Sequence, residues 1–128
     1  MQDPIRSITL PTIDHGPVTL PEPAWCAGHA DHCPDAYRID ITHRGPDHIL
    51  TLPVRGGYAE LLVVALEERP FTEAWPGTRP FVSVGFNGDS YPAQLHRLED
   101  MAAELERHAE VLREFARCLA VILAGGAW

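Results

Sequence analysis

The chain has 128 residues, of which 45% are hydrophobic and 22% are charged. This length and composition suit one folded domain with its own core and exclude a wholly disordered chain. The formal net charge of −8 argues against direct contact with nucleic acid, because an acidic surface repels phosphates and no run of arginines offsets it.

The start of the chain lacks the charged-then-apolar pattern of a signal peptide. The longest apolar run, Leu61 to Leu66, is too short to cross a bilayer. We therefore expect a cytoplasmic protein that makes no membrane contact. Thiols stay reduced in that compartment, which favours metal binding over a disulfide for the cysteines.

The beginning of the chain has the pattern of a β-hairpin. Residues 7–10 and 17–20 each alternate apolar and polar side chains, and Asp14-His15-Gly16 between them is typical of a turn. Pro11 and Pro21 follow the two runs, so we expect them to end the strands or to confine them to an edge.

Further strands are expected in the middle of the chain. Residues 37–43 alternate strictly, which predicts a strand, and residues 48–52 are its expected hairpin partner. Residues 58–66 fit either a buried strand or a short helix. The prolines of residues 67–80 predict a loop, and residues 81–86 predict another strand.

The clearest element is a long helix at the end of the chain. No glycine or proline occurs in residues 93–124. Pro92 suits the start of a helix, Asp89 or Ser90 could cap it, and Gly125-Gly126 suits its end. About thirty residues at ~1.5 Å each would make a rod roughly 45 Å long.

Apolar residues recur along this helix in alternating steps of three and four, which is a heptad pattern. They form two neighbouring rails: Leu98, Leu105, Leu112 and Leu119 in one, and Leu95, Ala102, Ala109, Ala116 and Leu123 in the other. Leucine rails left exposed are unfavourable in a soluble monomer, so the pattern predicts a homodimer whose interface contains the first rail. Packing against the chain's own sheet would produce the same pattern.

The residues most able to bind a metal lie between positions 26 and 43. Two of the three cysteines and three of the seven histidines fall there, and thiolate and imidazole are ligands that zinc prefers. Residues 21–35 are rich in proline and lack a core of their own, so a metal would order them. The predicted ligands of this zinc are Cys26, His29, Cys33 and His43.

Two alternatives stay open within this segment. His32 competes with Cys33, because neighbouring residues in an extended chain point in opposite directions. The cysteines and histidines could also be ordinary packed and surface residues, with Cys26 buried beside Trp25. A closed structural site is favoured, since a catalytic zinc needs an open position and a nearby base. Asp31 or Asp35 could be that base, but nothing singles them out, and Asp31 is also a weaker candidate ligand.

The segments Pro23-Ala24-Trp25-Cys26-Ala27-Gly28-His29 and Ile41-Thr42-His43-Arg44-Gly45, followed by a helix rich in leucine and alanine, resemble a family of small actinobacterial proteins. That family is grouped as a domain of unknown function. Its members often have three residues between the cysteine and the histidine, where this chain has two, so either His29 or His32 is the counterpart. The resemblance supports the site and implies no activity.

Together these patterns predict an α+β fold, with an antiparallel sheet of about four to six strands and one long C-terminal helix. We expect a single domain over residues 1–128, with a β-rich part at 1–90 and the helix at 91–124. The expected function is a non-enzymatic interaction or regulatory module, homodimeric and braced by zinc, with a protein partner. The alternatives are a small metal-dependent enzyme using the same cluster, or a ligand-binding protein using Phe71 and Trp75.

Overall fold

The computed structural model describes residues 6–127 and divides the chain into two compact units. The first unit contains antiparallel strands and ends at Ala93, and the second begins at Gln94 and contains one long helix. The predicted α+β class is therefore confirmed.

A two-stranded antiparallel sheet comes first, formed by β1 (Arg6–Thr12) and β2 (Gly16–Glu22). It confirms the predicted hairpin. The strands continue through Pro11 and Pro21, which a two-stranded sheet tolerates because each strand leaves one edge without a partner.

The second sheet is antiparallel and has five strands among the described residues. They are β3 (His43–Arg44), β4 (His48–Val54), β5 (Gly57–Glu68), β6 (Phe81–Phe86) and β7 (Asp89–Ala93). The long strand β5 pairs with β3, β4 and β6, and β7 extends the sheet beyond β6. Residues 58–66, whose pattern fits strand or helix, therefore form the central strand.

Two expectations for residues 37–52 were wrong. Residues Arg38–Asp40 form a 3-10 turn, and the strand is confined to His43 and Arg44. The turn is held by a carboxylate oxygen of Asp14, which accepts the backbone N–H of Arg38 at 2.9 Å. Residues 48–52 instead pair with β5 across the tight turn at 55–56, since residues 38–40 form the 3-10 turn and offer no strand to pair with.

The helix α1 spans Leu95–Leu123, and its N-cap is Gln94. The expected start near residue 92 with an Asp89 or Ser90 cap was wrong, since these residues form β7 and pair with β6. The helix ends as predicted, just before Gly125, whose φ of +85° is a conformation that glycine adopts at little cost. Within residues 6–127, no helix combines the length and apolar composition needed to cross a membrane.

A small core connects the first hairpin to residue 41. Leu10, Leu20 and Ile41 are all at least 95% buried and pack together, and Phe71 packs against them. Phe71 thereby serves stability, whereas Trp75 is exposed. This core matters for the site because the residues two positions beyond Leu20 and Ile41 are Glu22 and His43.

Candidate metal centre

Three of the predicted ligands converge at one point of the first unit. The Sγ of Cys26 lies 3.5 Å from the Nε2 of His29, which lies 3.2 Å from the Nδ1 of His43. All three ligand atoms lie within 4.8 Å of one another. The side chain of His29 is only 8% exposed, and His43 is fully buried.

These separations match the edges of a tetrahedral zinc site. Zinc bonds of about 2.0 Å to nitrogen and about 2.3 Å to sulfur place two nitrogens about 3.3 Å apart and a nitrogen and a sulfur about 3.5 Å apart. The observed distances are 3.2 Å between the imidazole nitrogens and 3.5 Å between Cys26 and His29. Two of the three ligand separations therefore match a tetrahedral site, and the third, between Cys26 and His43, is within 4.8 Å.

Hydrogen bonding alone explains the cluster less well. The Nε2 of a neutral imidazole carries either one hydrogen or one lone pair, so it forms one well-directed hydrogen bond. The Nε2 of His29 lies close to both Cys26 and His43. A metal ion satisfies all three atoms at once, because it accepts a lone pair from each.

Cys26 is positioned by contacts of the backbone around it. Its N–H donates to the carbonyl of Pro23 at 3.0 Å, and the N–H of Ala27 donates to the carbonyl of Arg44 at 2.9 Å. The Cys26 loop is thus tied to β3, the strand that carries His43. Gly45 permits this approach, since a Cβ at that position would lie 3.2 Å from the carbonyl oxygen of Trp25.

His29 follows Cys26 after a turn that depends on Gly28. The φ of Gly28 is +101°, a region that residues with a side chain rarely adopt. The carbonyl of His29 then accepts the N–H of His32 at 3.0 Å. This turn brings the imidazole of His29 back toward the thiol of Cys26.

His43 comes from the edge of the second sheet, where it is paired with Glu68 of β5. Burial lowers its pKa, so the ring is neutral near pH 7 and can donate a lone pair. Its Nε2 is buried and forms no hydrogen bond with any residue that the structure describes. The backbone carbonyl of Pro21 nevertheless acts on this ring, raising its pKa against the effect of burial.

Burial also shifts the pKa values of His29 and Cys26. It lowers the pKa of His29, as does the neighbouring His43, which keeps the imidazole neutral. It raises the pKa of the Cys26 thiol. Metal binding must therefore displace a proton from this thiol, since the thiolate is the ligand form.

A carboxylate that the sequence analysis did not consider lies beside the cluster. The Oε1 of Glu22 is 4.0 Å from the Nε2 of His29, and the Glu22 side chain is only 14% exposed. The sequence contains a signal for this position, because Glu22 lies two residues after the buried Leu20 and therefore on the same face of β2.

The other candidates lie outside this group. Cys33 is exposed and is not among the three convergent ligands. The Nε2 of His32 lies 2.8 Å from the carbonyl oxygen of Pro11, with which it can form a hydrogen bond. Asp31 and Asp35 are exposed.

A pocket of about 440 Å³ lies next to the cluster. It is lined by residues 27–33 and 40–42 together with Ala36, so His29 and Cys33 both contribute to its wall. A small molecule in this pocket would be adjacent to a ligand of the candidate metal.

An ion-pair network fixes the strand that carries His43. Glu67 of β5 is 7% exposed, and its carboxylate accepts from Arg44 at 2.9 Å and from Arg69 at 3.4 Å. Arg44 also donates to Asp47 at 2.7 Å. These contacts hold β3 against β5, since the two strands share a ladder of only two residue pairs.

The fold and the site define an α+β protein with a convergent Cys-His-His group. The chain belongs to the family described as a domain of unknown function (DUF6907), whose model matches residues 7–121. This confirms the expectation of an uncharacterised domain family. No curated protein and no solved structure matches the chain.

Proposed function

We propose that this protein is a non-enzymatic interaction module that is braced by a structural zinc ion and dimerises through α1. The observation that carries the proposal is the convergence of Cys26, His29 and His43, whose ligand atoms all lie within 4.8 Å of one another. The soft thiolate of Cys26 and the two borderline imidazoles favour zinc over calcium or magnesium, which prefer oxygen ligands.

The role proposed for the zinc is to order the loop that follows β2. The segment between Glu22 and Arg38 has no helix or strand, and most of its residues are not buried. Such a segment gains little free energy from apolar burial to offset the entropy lost on ordering. Bonds from one ion to Cys26, His29 and His43 join it to β3 and so to the second sheet.

The zinc is tested by elemental analysis of purified, untagged protein. We expect about one zinc per chain, and we expect Cys26→Ser and His43→Gln to lose it, because each removes a ligand atom. Cys118→Ser and His48→Gln are the matched controls, since they change the same residue types away from the group. Folded, reduced protein without zinc that also fails to take it up would refute the site.

Dimerisation is supported by the heptad pattern of α1 and by the exposure of its leucines. No residue of the helix is buried within one chain, and Leu112 is 66% exposed. Burying such a rail against its copy would remove apolar surface from water. The proposed interface contains Leu98, Leu105, Leu112 and Leu119.

Sedimentation of the full-length chain tests this interface. We expect a dimer for the wild type and a monomer for Leu112→Glu, because a carboxylate on the rail would lose its water in the interface. Val111→Glu is the matched control: Val111 is also apolar and exposed, but lies about 100° around the helix from Leu112. A monomeric wild type would overturn the proposal.

A second candidate function is a small metal-dependent enzyme that uses the same three ligands. The pocket of about 440 Å³ beside His29 favours it, since a substrate there would be close to the ion. This function requires water in an open fourth position of the metal.

A further inference from the structure

The Cys-His-His group leaves the coordination of a zinc ion incomplete. Structural zinc sites have four protein ligands, and three ligands are typical of a site with an open position. The identity of the fourth group therefore separates a structural zinc from a catalytic one.

Glu22 is the nearest further donor shown beside these ligands. Its Oε1 lies 4.0 Å from the Nε2 of His29, compared with about 3.4 Å for an oxygen and a nitrogen bound to one tetrahedral zinc. Glu22 lies outside the group of atoms that are all within 4.8 Å of one another, so binding requires its side chain to rotate toward Cys26 and His43.

Glu22 forms no ion pair with an arginine among residues 6–127, although Arg6 is its cross-strand neighbour in the first hairpin. Among residues 6–127, the only basic side chain within ion-pair distance of this carboxylate is His29. The form of His29 that binds a metal is the neutral imidazole, which does not neutralise a carboxylate. A carboxylate that is 14% exposed and lacks a cation is unfavourable unless an ion neutralises it.

The charge balance favours the same arrangement. A zinc bound to one thiolate and two neutral imidazoles has a net charge of +1, which is costly in a site whose ligands are mostly buried. Adding a carboxylate brings the site to zero. Both Glu22 and His43 reach the site because Leu20 and Ile41, two residues earlier in each segment, pack in one core.

We propose that the carboxylate of Glu22 is the fourth ligand and closes the site as Cys-His-His-Glu. The inference rests on the metal site proposed above and adds the residue that makes it structural. With four protein ligands, the zinc would bind no water molecule, so the pocket beside His29 would contain no metal-bound water to react with a substrate.

Cobalt(II) tests this assignment, because its visible spectrum reports coordination number and its thiolate charge-transfer band reports Cys26. Metal-free full-length protein is titrated with cobalt, and azide is then added as a small anion that fills an open position. We expect a tetrahedral spectrum for the wild type that azide leaves unchanged. In Glu22→Ala we expect an altered spectrum that azide shifts, since the fourth position is then free.

Affinity is measured beside the spectra but does not decide the question, because loss of an outer carboxylate also weakens metal binding by about 10–100-fold. Glu22→Gln keeps the shape of the side chain and provides a second variant if Glu22→Ala does not fold. Glu60→Gln is the matched control on an exposed glutamate, and should leave the spectrum unchanged.

The outcomes separate this inference from the metal site itself. A wild-type spectrum that azide shifts, or a Glu22→Ala spectrum identical to that of the wild type, would overturn Glu22 as a ligand while leaving the metal site in place. A wild-type protein that binds neither cobalt nor zinc would refute both.

Discussion

At the residue scale, the candidate site is organised around one nitrogen atom. The Nε2 of His29 is 3.5 Å from the Sγ of Cys26 and 3.2 Å from the Nδ1 of His43. A proton on this atom can form a well-directed hydrogen bond with only one of these neighbours, whereas a metal ion can bind this atom and both neighbours together. The spacing of the atoms, and not the number of cysteines and histidines in the segment, therefore defines the site.

Gly45 is the residue whose backbone brings the Cys26 loop close to β3. In Gly45→Ala the new Cβ would lie 3.2 Å from the carbonyl oxygen of Trp25, so the loop must move by a few tenths of an ångström. We expect a loss of about 1 kcal/mol in the free energy of unfolding and weaker zinc binding. Urea unfolding and a competitive zinc titration measure the two effects.

Gly85→Ala is the matched control for this substitution. A Cβ at Gly85 has its nearest contacts at 3.6 Å, an ordinary van der Waals distance, and Gly85 lies in β6 away from the metal ligands. Equal losses of zinc affinity in both variants would contradict the role given to Gly45.

At the element scale, the first hairpin supplies the site with its framework. Leu20 of β2 packs with Leu10 and Ile41 in the core. Side chains two residues apart in extended chain share a face, so this packing also brings Glu22 and His43 to one place. The stability of the core and the geometry of the metal ligands are therefore coupled.

Leu20→Ala tests this coupling. Leu20 is 3% exposed, so its truncation should cost about 2–5 kcal/mol in the free energy of unfolding, together with a fall in zinc affinity. Leu52→Ala is the control, because Leu52 is 43% exposed and should cost much less. Unfolding in urea and zinc titration of both variants provide the measurements, and unchanged zinc affinity in folded Leu20→Ala would contradict the coupling.

At the scale of the whole molecule, the two proposed properties belong to different units. The metal ligands all precede Ala93, and the leucine rail follows Gln94. We expect a chelator to destabilise the first unit without dissociating the dimer, because the helix contains none of the ligands.

Zinc removal should lower the melting temperature of the first unit by on the order of 10 °C. A free zinc concentration one hundred times the dissociation constant stabilises the folded state by about 2.7 kcal/mol, and each kcal/mol shifts the melting temperature of a small domain by about 4–8 °C. Tryptophan fluorescence follows the melting, and sedimentation follows the dimer. Adding zinc back should restore the melting temperature, and adding magnesium should not, since magnesium prefers oxygen ligands.

A dimer that dissociates on chelation would contradict the separation of the two properties. A melting temperature unchanged by chelation of protein shown to contain zinc would instead contradict the bracing role of the metal.

Local patterns predicted much of the fold. The first hairpin, β6, the long helix and its end at Gly125 all follow from periodicity and from turn residues close to them in sequence. The strand predicted at 37–43 was wrong because tertiary contacts at Asp14 and Ile41 hold a 3-10 turn where an alternating pattern alone indicates a strand. The predicted start of the helix was wrong because Asp89 and Ser90, which favour a helix cap, pair with β6 instead.

For the candidate metal centre, residue types and spacing already indicate the chemistry: a Cys-x-x-His pair with a glycine inside it, and a later histidine near a turn. These features are local, and thiol and imidazole side chains are capable of binding a metal wherever they meet. Which donors meet depends on the folded chain, which leaves Cys33 outside the group and brings Glu22 beside it. The physical reason is that ligand distances depend on how the hairpin core, β3 and the loop pack together, and those contacts join residues far apart in the chain.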